Sequence, residues 1–191
     1  SKNILHLAIK NNLKRIIVVS SNSPIGVNPN NTHLFDEHTP YNPYMKYGES
    51  KMKMEEMFNE AFNNGDIEIV IIRPCWFYGL AQPPRQNLFF SMIKNGNVPI
   101  VGDGENKRSM SYIDNVCQAL LLVIENVRAS GETYWIADNQ PYSMNEIINT
   151  IEDLLENEFG YDVAHKRINL PNLASKVAYG LDWTCQKLGY Y

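Results

Sequence analysis

Cysteine is scarce in this sequence. There are three in 191 residues (Cys75, Cys117 and Cys185), an odd number, widely spaced and with no C-x-x-C. That excludes a disulfide framework and a zinc knuckle. The four histidines, His6, His33, His38 and His165, have no ligand spacing, so no metal site is expected. Long apolar runs are missing too. Those over 16–19 and 69–72 are strand-sized, far short of the ~20 residues that a membrane-spanning helix needs. The opening Ser-Lys-Asn-Ile-Leu-His-Leu lacks the charged head and long apolar stretch of a signal peptide. Nor is there a surplus of positive charge. Seventeen basic against twenty-one acidic side chains leave −4, which gives no reason to expect nucleic acid or a membrane surface as partner. The expected location is a reducing one, the cytoplasm.

What is present is ordinary for a folded chain: 44% hydrophobic and 20% charged residues, enough for one domain or one and a part. Ile4, Leu5, Leu7, Ala8 and Leu13 fit one helix face up to the Asn-Asn break, with the helix expected from Lys2 to Asn11. The run RIIVVS over 15–20 reads as a parallel strand covered on both faces. A loop rich in Asn and Pro follows, over 20–43. A long helix is expected from Pro43 to Asn63, with Pro43 in its first turn and Asn64-Gly65 stopping it. Met54, Phe58, Ala61 and Phe62 form its inner face. DIEIVIIR over 66–73 is the next buried strand, completing a strand–helix–strand crossover. Beyond Pro74 come a loop, a helix over 88–94 and a turn-rich segment with a short strand over 96–104. Asp114 suits the N-cap of a helix reaching about residue 127, with Val116, Leu120, Leu121 and Ile124 at helical spacing. A strand is expected over 132–137. Ser143 and Glu146 form a capping box ahead of another helix, and a last helix is expected over 173–188. The alternation is that of an α/β fold with a parallel sheet and a smaller inserted lobe. Residues 1–78 with 112–137 are assigned to the sheet domain, and 79–111 with 138–191 to the lobe.

The stretch that carries chemistry is Tyr47-Gly48-Glu49-Ser50-Lys51. Positions i and i+4 of a helix point the same way, so the Tyr47 hydroxyl and the Lys51 ammonium can share a pocket. A nearby cation favours the phenolate of a tyrosine. The result is a general acid/base for a substrate hydroxyl. The same spacing suits a surface aromatic beside a solvated lysine, so the surroundings decide. Upstream, Ser20-Ser21-Asn22-Ser23-Pro24-Ile25-Gly26 stands at the end of the first strand. The carboxyl ends of parallel strands are where such sheets bind ligands. The second strand ends likewise in Arg73-Pro74-Cys75-Trp76-Phe77-Tyr78-Gly79. Arg85 and Arg108 are the cations best suited to contact an anion.

Taken together, the serine loop, YGESK, RPCWFYG, VGDGENKRSMSYIDNV and YWIADNQPYSMNEI resemble the extended short-chain dehydrogenase/reductase family, its NAD-dependent epimerase/dehydratase group. The resemblance runs through nearly the whole chain. It implies a Rossmann-type parallel sheet with a C-terminal substrate lobe, an NAD or NADP cofactor (NAD preferred) and a small-molecule substrate. It gives Tyr47 the role of catalytic acid/base and Lys51 that of ribose ligand and activator of Tyr47. Ser21, five residues before Gly26, takes the role of catalytic hydroxyl. Ser20 and the backbone at Pro74 and Cys75 fall on the cofactor side. Asn22, Trp76 and Arg85 fall on the substrate side, together with Arg108, which matches a diphosphate-binding arginine of nucleotide-sugar members. A homodimer through the helices from Lys2 to Asn11 and from Pro43 to Asn63 is implied as well.

Two departures shape the reading. The family's glycine-rich strand-to-helix turn, which cradles the pyrophosphate, has no counterpart, since the single Gly-x-Gly is Gly102-Asp103-Gly104 in the lobe. The chain is therefore expected to be a fragment without the first strands, and to bind NAD weakly by itself. Ser21 is followed by Asn22 and Ser23, where sugar dehydratases of the family carry an acidic pair, so dehydration is disfavoured. The favoured reading is an epimerase or oxidoreductase acting on a nucleotide-linked sugar through Ser21, Tyr47 and Lys51. Trp76 keeps open a reductase of a bulky apolar alcohol or ketone, of the hydroxysteroid or dihydroflavonol type. A non-catalytic dinucleotide-sensing module is the third reading.

Overall fold

The computed structural model of the chain describes residues 1–28 and 34–171, single positions at 173, 177, 180, 181, 184 and 185, and only the backbone of Arg85. His33 and most of the helix expected over 173–188 lie outside the described residues. In chain order the elements are α1 (Lys2–Lys10), β1 (Arg15–Val19), α2 (Met45–Asn63), β2 (Glu68–Pro74), β3 (Trp76–Tyr78), α3 (Pro84–Lys94), β4 (Val98–Val101), β5 (Lys107–Arg108), β6 (Met110–Tyr112), α4 (Ile113–Glu125), β7 (Thr133–Ile136), β8 (Tyr142–Ser143), α5 (Met144–Asn157) and β9 (Arg167–Leu170). They divide between two compact units. The first is Ser1–Leu80 with Ser109–Pro141, the second Ala81–Arg108 with Tyr142–Tyr191.

The first unit is built on a parallel sheet in the order β1-β2-β7, with Ile16 opposite Ile69 and Ile71 opposite Thr133. Alternate residues of β2 point to opposite faces, and both faces are covered. Ile69 and Ile71 join Val18, Leu5 and Ala8 of α1, and Phe58 and Ala61 of α2. Val70 and Ile72 meet Val123 of α4 and Ala129 on the other side. This explains the unbroken apolar run over 69–72 within β2. Arg15 closes the lower edge. Its guanidinium holds Glu68 at 2.6 Å and donates to the last α4 carbonyls, Val123 O and Ile124 O, and to Asn126 O just beyond the helix. β3 and β6 form a separate parallel pair, with Tyr78 opposite Tyr112.

In the second unit β4 pairs with β9 in parallel and β5 with β8 antiparallel. Its core is Ile93, Val98, Ile100 and Ile148, with Phe89, Met92, Met144 and Ile151 packed around it. The capping box is as expected. The Ser143 hydroxyl accepts from the Glu146 N–H and the Glu146 carboxylate accepts from the Ser143 N–H.

Several expectations are corrected. Pro43 is not in the first turn of α2, which begins at Met45 after Tyr44. The Tyr44 N–H is drawn to Ser23 O at 3.4 Å and keeps the chain extended up to that point. Asp114 is not an N-cap. β6 runs to Tyr112 and the helix starts directly after it, leaving Asp114 in the first turn. Leu121 and Ile124 face outward, because the buried stripe of α4 is Val116, Leu120 and Val123. Met57 joins the inner face of α2 as well, packing partly buried against the core of the first unit.

Candidate functional site

The carboxyl edge of the first unit's sheet gathers most of the expected residues. β1 is prolonged by one bond, from Ser20 N to Ile72 O at 2.8 Å. The chain then turns sharply, with the N–H groups of Ile25 and Gly26 both directed to Asn22 O. Within this turn the Ser21 hydroxyl lies 3.1 Å from Ser23 Oγ, donates to Asn22 Oδ1 and accepts from Ser23 N–H. Ser20 is buried, and its Oγ has no hydrogen-bond partner among the described residues. Asn22 is exposed.

This serine turn is fused to the start of α2. A Cβ added at Gly48 would stand 2.6 Å from Ser23 O, and one added at Gly26 would stand 2.1 Å from Asn42 O. Gly26 has φ +86°, a left-handed conformation that glycine adopts without penalty. Asn42 N donates to Pro24 O at 3.0 Å. The two glycines let backbone meet backbone, so the turn holding Ser21 touches the helix turn holding Tyr47. Tyr47 itself is 56% exposed. The Lys51 ammonium stands 5.8 Å from its ring centroid and donates to Val19 O at 3.2 Å. The i, i+4 spacing thus puts the cation over the phenol, at the carboxyl end of β1.

The end of β2 supplies the neighbouring wall. Pro74 is buried and Cys75 partly so. The Cys75 N–H is shared between Ile136 O and Ser111 Oγ. Burial first, then the charge of Asp138, pushes the Cys75 thiol up to about 11. It is a neutral filler and no nucleophile. Trp76 and Tyr78 lie on β3, a strand that the sequence pattern did not reveal, and the Tyr78 hydroxyl donates to Asp138 at 3.0 Å. Arg108 and Arg85 belong to the second unit. Arg108 is exposed on β5, opposite Tyr142 on β8. The Arg85 side chain lies outside the described residues. Among the described residues no group of three or more His, Cys, Asp and Glu could hold a metal ion, and no helix is long and apolar enough to cross a membrane.

Behind the exposed turn lies a buried polar cluster that the sequence reading missed. Arg73 grips Glu55 with two bonds, Nη2 to Oε2 at 2.6 Å and Nε to Oε1 at 3.2 Å. Tyr41 donates its hydroxyl to the same Oε2 at 2.8 Å. Burial, followed by the Glu55 carboxylate, pushes the Tyr41 phenol up to about 12, so it stays a donor. The guanidinium lies 5.6 Å from the Tyr41 ring centroid and 5.5 Å from that of Trp135. Trp135 in turn donates to Asp36 O. A signal existed: a carboxylate three residues before Phe58 and an arginine directly after Ile69–Ile72 are charges on buried faces, and buried charges come in pairs.

Comparison with known proteins adds to this geometry. A model of the NAD dependent epimerase/dehydratase family matches residues 1–137. The chain is 45% identical over 190 residues to the uncharacterized protein y4nL of Sinorhizobium fredii, covering 99% of itself and 53% of that protein. It is 33% identical over 159 residues to the N-acetyl-alpha-D-glucosaminyl-diphospho-ditrans,octacis-undecaprenol 4-epimerase of Escherichia coli O157:H7, covering 81% of itself and 46% of the relative. A solved structure of UDP-glucose 4-epimerase from Thermotoga maritima, with UDP-glucose, superposes with a TM-score of 0.71 at 25% identity, over 88% of this chain and 54% of the other. The chain therefore spans about half the length of the relatives it matches. The parallel sheet with its helical crossover is of the Rossmann type.

Proposed function

Since the chain belongs to the NAD-dependent epimerase/dehydratase family, we propose that it carries the proton-transfer site of an NAD-dependent epimerase acting on a secondary alcohol of a nucleotide-linked sugar. The relatives in hand include a 4-epimerase of a lipid-linked amino sugar diphosphate and a UDP-glucose 4-epimerase. The observation that carries the reading is the close approach of Gly48 to Ser23, which joins the serine turn to the Tyr47–Lys51 turn.

In this reading Tyr47 takes the proton from the substrate hydroxyl and returns it after the carbonyl has turned over. Lys51, held by Val19 O, keeps a positive charge beside the phenol. Ser21 orients the substrate oxygen once it trades its bonds to Asn22 and Ser23 for one to the sugar. NAD, when bound, supplies the hydride acceptor and donor. The residues fit its nicotinamide end. Ser20 Oγ is a buried polar atom at the strand end with no hydrogen-bond partner among the described residues, and it directly follows Val19, whose carbonyl accepts from Lys51. No glycine-rich turn occurs in the sequence for the pyrophosphate end. The dimer through α1 and α2 remains part of the proposal, with Ile4 and Leu7 of α1 exposed.

The test is epimerisation of UDP-glucose in the presence of NAD, followed through the sugar proton resonances. Tyr47→Phe is expected to cut turnover by about 10²–10⁴-fold. Gly48→Ala, which drives a methyl group into Ser23 O, is expected to cut it by at least about tenfold with Tyr47 intact. Turnover that survives Tyr47→Phe overturns the assignment. Reduction of a sterol ketone in place of UDP-sugar turnover would favour the apolar-substrate reading that Trp76 keeps open.

A further inference from the structure

We infer that Glu55, Arg73 and Tyr41 are positioning residues, a buried clamp that sets the first turns of α2 against the carboxyl end of β2. The inference rests on the proposed role of Tyr47 and Lys51, which ride on those turns. Its physical basis is the way α2 is held. Apolar packing of the helix on the sheet involves Met54, Met57, Phe58, Ala61 and Phe62, all in its second half. Ahead of them, the one buried residue is Gly48. The turns with Tyr47 and Lys51 thus lie beyond the apolar contact, and besides the Lys51 bond to Val19 O two anchors hold them: Gly48 on Ser23 O, between those two residues, and Glu55 on Arg73, one turn after Lys51.

The second anchor is not what stability alone would select. Glu55 is 0% exposed and the Arg73 side chain 4% exposed. A buried ion pair of this kind adds little over a matched apolar pair, because desolvation offsets the attraction. Arg73 Nη1 is also buried with no hydrogen-bond partner among the described residues, a further cost. What the pair adds over apolar packing is direction. A guanidinium fork on a carboxylate fixes distance and angle together, whereas apolar contacts leave a helix free to roll. Arg73 directly precedes Pro74, so the fork refers the helix to the strand end that carries Pro74 and Cys75. The rings of Tyr41 and Trp135 both lie beside the fork, and Trp135 ties in the 34–44 segment through Asp36 O.

The experiment is amide hydrogen exchange on the full chain, with the matched apolar double variant Glu55→Leu/Arg73→Met and, separately, Tyr41→Phe. Positioning predicts that amides of 49–54 exchange at least about tenfold faster in the double variant, while those of 58–63 and of β2 keep their wild-type protection. Tyr41→Phe, which leaves the ion pair in place, should give a smaller rise confined to the same amides, and it serves if the double variant does not fold. Unchanged protection over 49–54, or a loss spread equally over β2, overturns the inference. Turnover of UDP-glucose with NAD is measured alongside. A double variant with the local loosening yet full kcat also overturns it. A wild-type chain without turnover sinks the enzymatic reading instead, and exchange still decides the clamp.

Discussion

Each unit holds a buried carboxylate with cationic partners, Glu55 in the first and Glu152 in the second, and the two clusters are built differently. In the first unit Glu55 and Arg73 are closed off from water, with the rings of Tyr41 and Trp135 beside the guanidinium and the Tyr41 hydroxyl on the carboxylate. In the second, Glu152 is buried, but its partners reach it from the surface. Arg167 donates at 2.9 Å and His165 stands at 3.3 Å, with a second contact to Glu156 at 2.8 Å. The His165 side chain is 52% exposed. Among the described residues the closed cluster offers neither charge a second charged partner. The open one shares its carboxylate among several groups within reach of solvent. Burial, more than the number of bonds, therefore decides what each cluster does. The closed one fixes geometry, and the open one responds to the medium.

Removing one charge separates the two most sharply. Arg73→Ala strands a buried carboxylate and is expected to cost about 3–5 kcal/mol in urea unfolding of the chain. A loss below about 1 kcal/mol would mean that water reaches Glu55 and that the cluster is not closed. Arg167→Ala should cost less, about 1–3 kcal/mol, since His165 and solvent remain to Glu152. If it matched Arg73→Ala, the distinction between closed and open would fail. Ser143→Ala sharpens the contrast from another side. It removes the side-chain half of the capping box and should cost about 1 kcal/mol. Exchange should quicken only in the first turn of α5, away from Glu152.

The smallest effect is one of pH. Hydrogen bonds to Glu156 and then Glu152, aided by their charges, hold the His165 pKa above its ordinary value of 6.5, against weak desolvation. A raised pKa means that the folded state binds the proton more tightly. The contribution is therefore complete below pH 6.5 and fades as pH rises through the folded value. His165→Gln should flatten a shallow fall in stability over that window, read from unfolding midpoints at a series of pH values. An unaltered slope in the variant would assign the fall to other groups.

Much of the fold was legible because its signals are local. IIVV over 16–19 and IVII over 69–72 are unbroken apolar runs, and the helix between them carries Met54, Phe58, Ala61 and Phe62 at helical spacing. The capping box is a pattern of two residues three apart. The short strands β3, β5, β6, β8 and β9 were not legible, since two to four residues carry no period. Their pairing partners lie up to 69 positions away, as between Val98 and Arg167. The helix starts were misread for a related reason. Tyr44 and Tyr112 are held by partners distant in sequence, Ser23 and Asp138, which outweigh the local preference of Pro43 or Asp114.

The site divides in the same way. By itself the sequence determined the Tyr47–Lys51 pairing, because helical geometry alone brings i and i+4 together. It also placed Ser20 and Ser21 at a strand end, because an apolar run shows where the strand stops. Only the tertiary structure decided that Gly48 would let the serine turn touch α2, and that Glu55 and Arg73 would meet in the dark behind it. Such contacts depend on two backbones approaching within van der Waals distance, or on two charges losing water together. Both are properties of the packed chain that no stretch of residues carries alone.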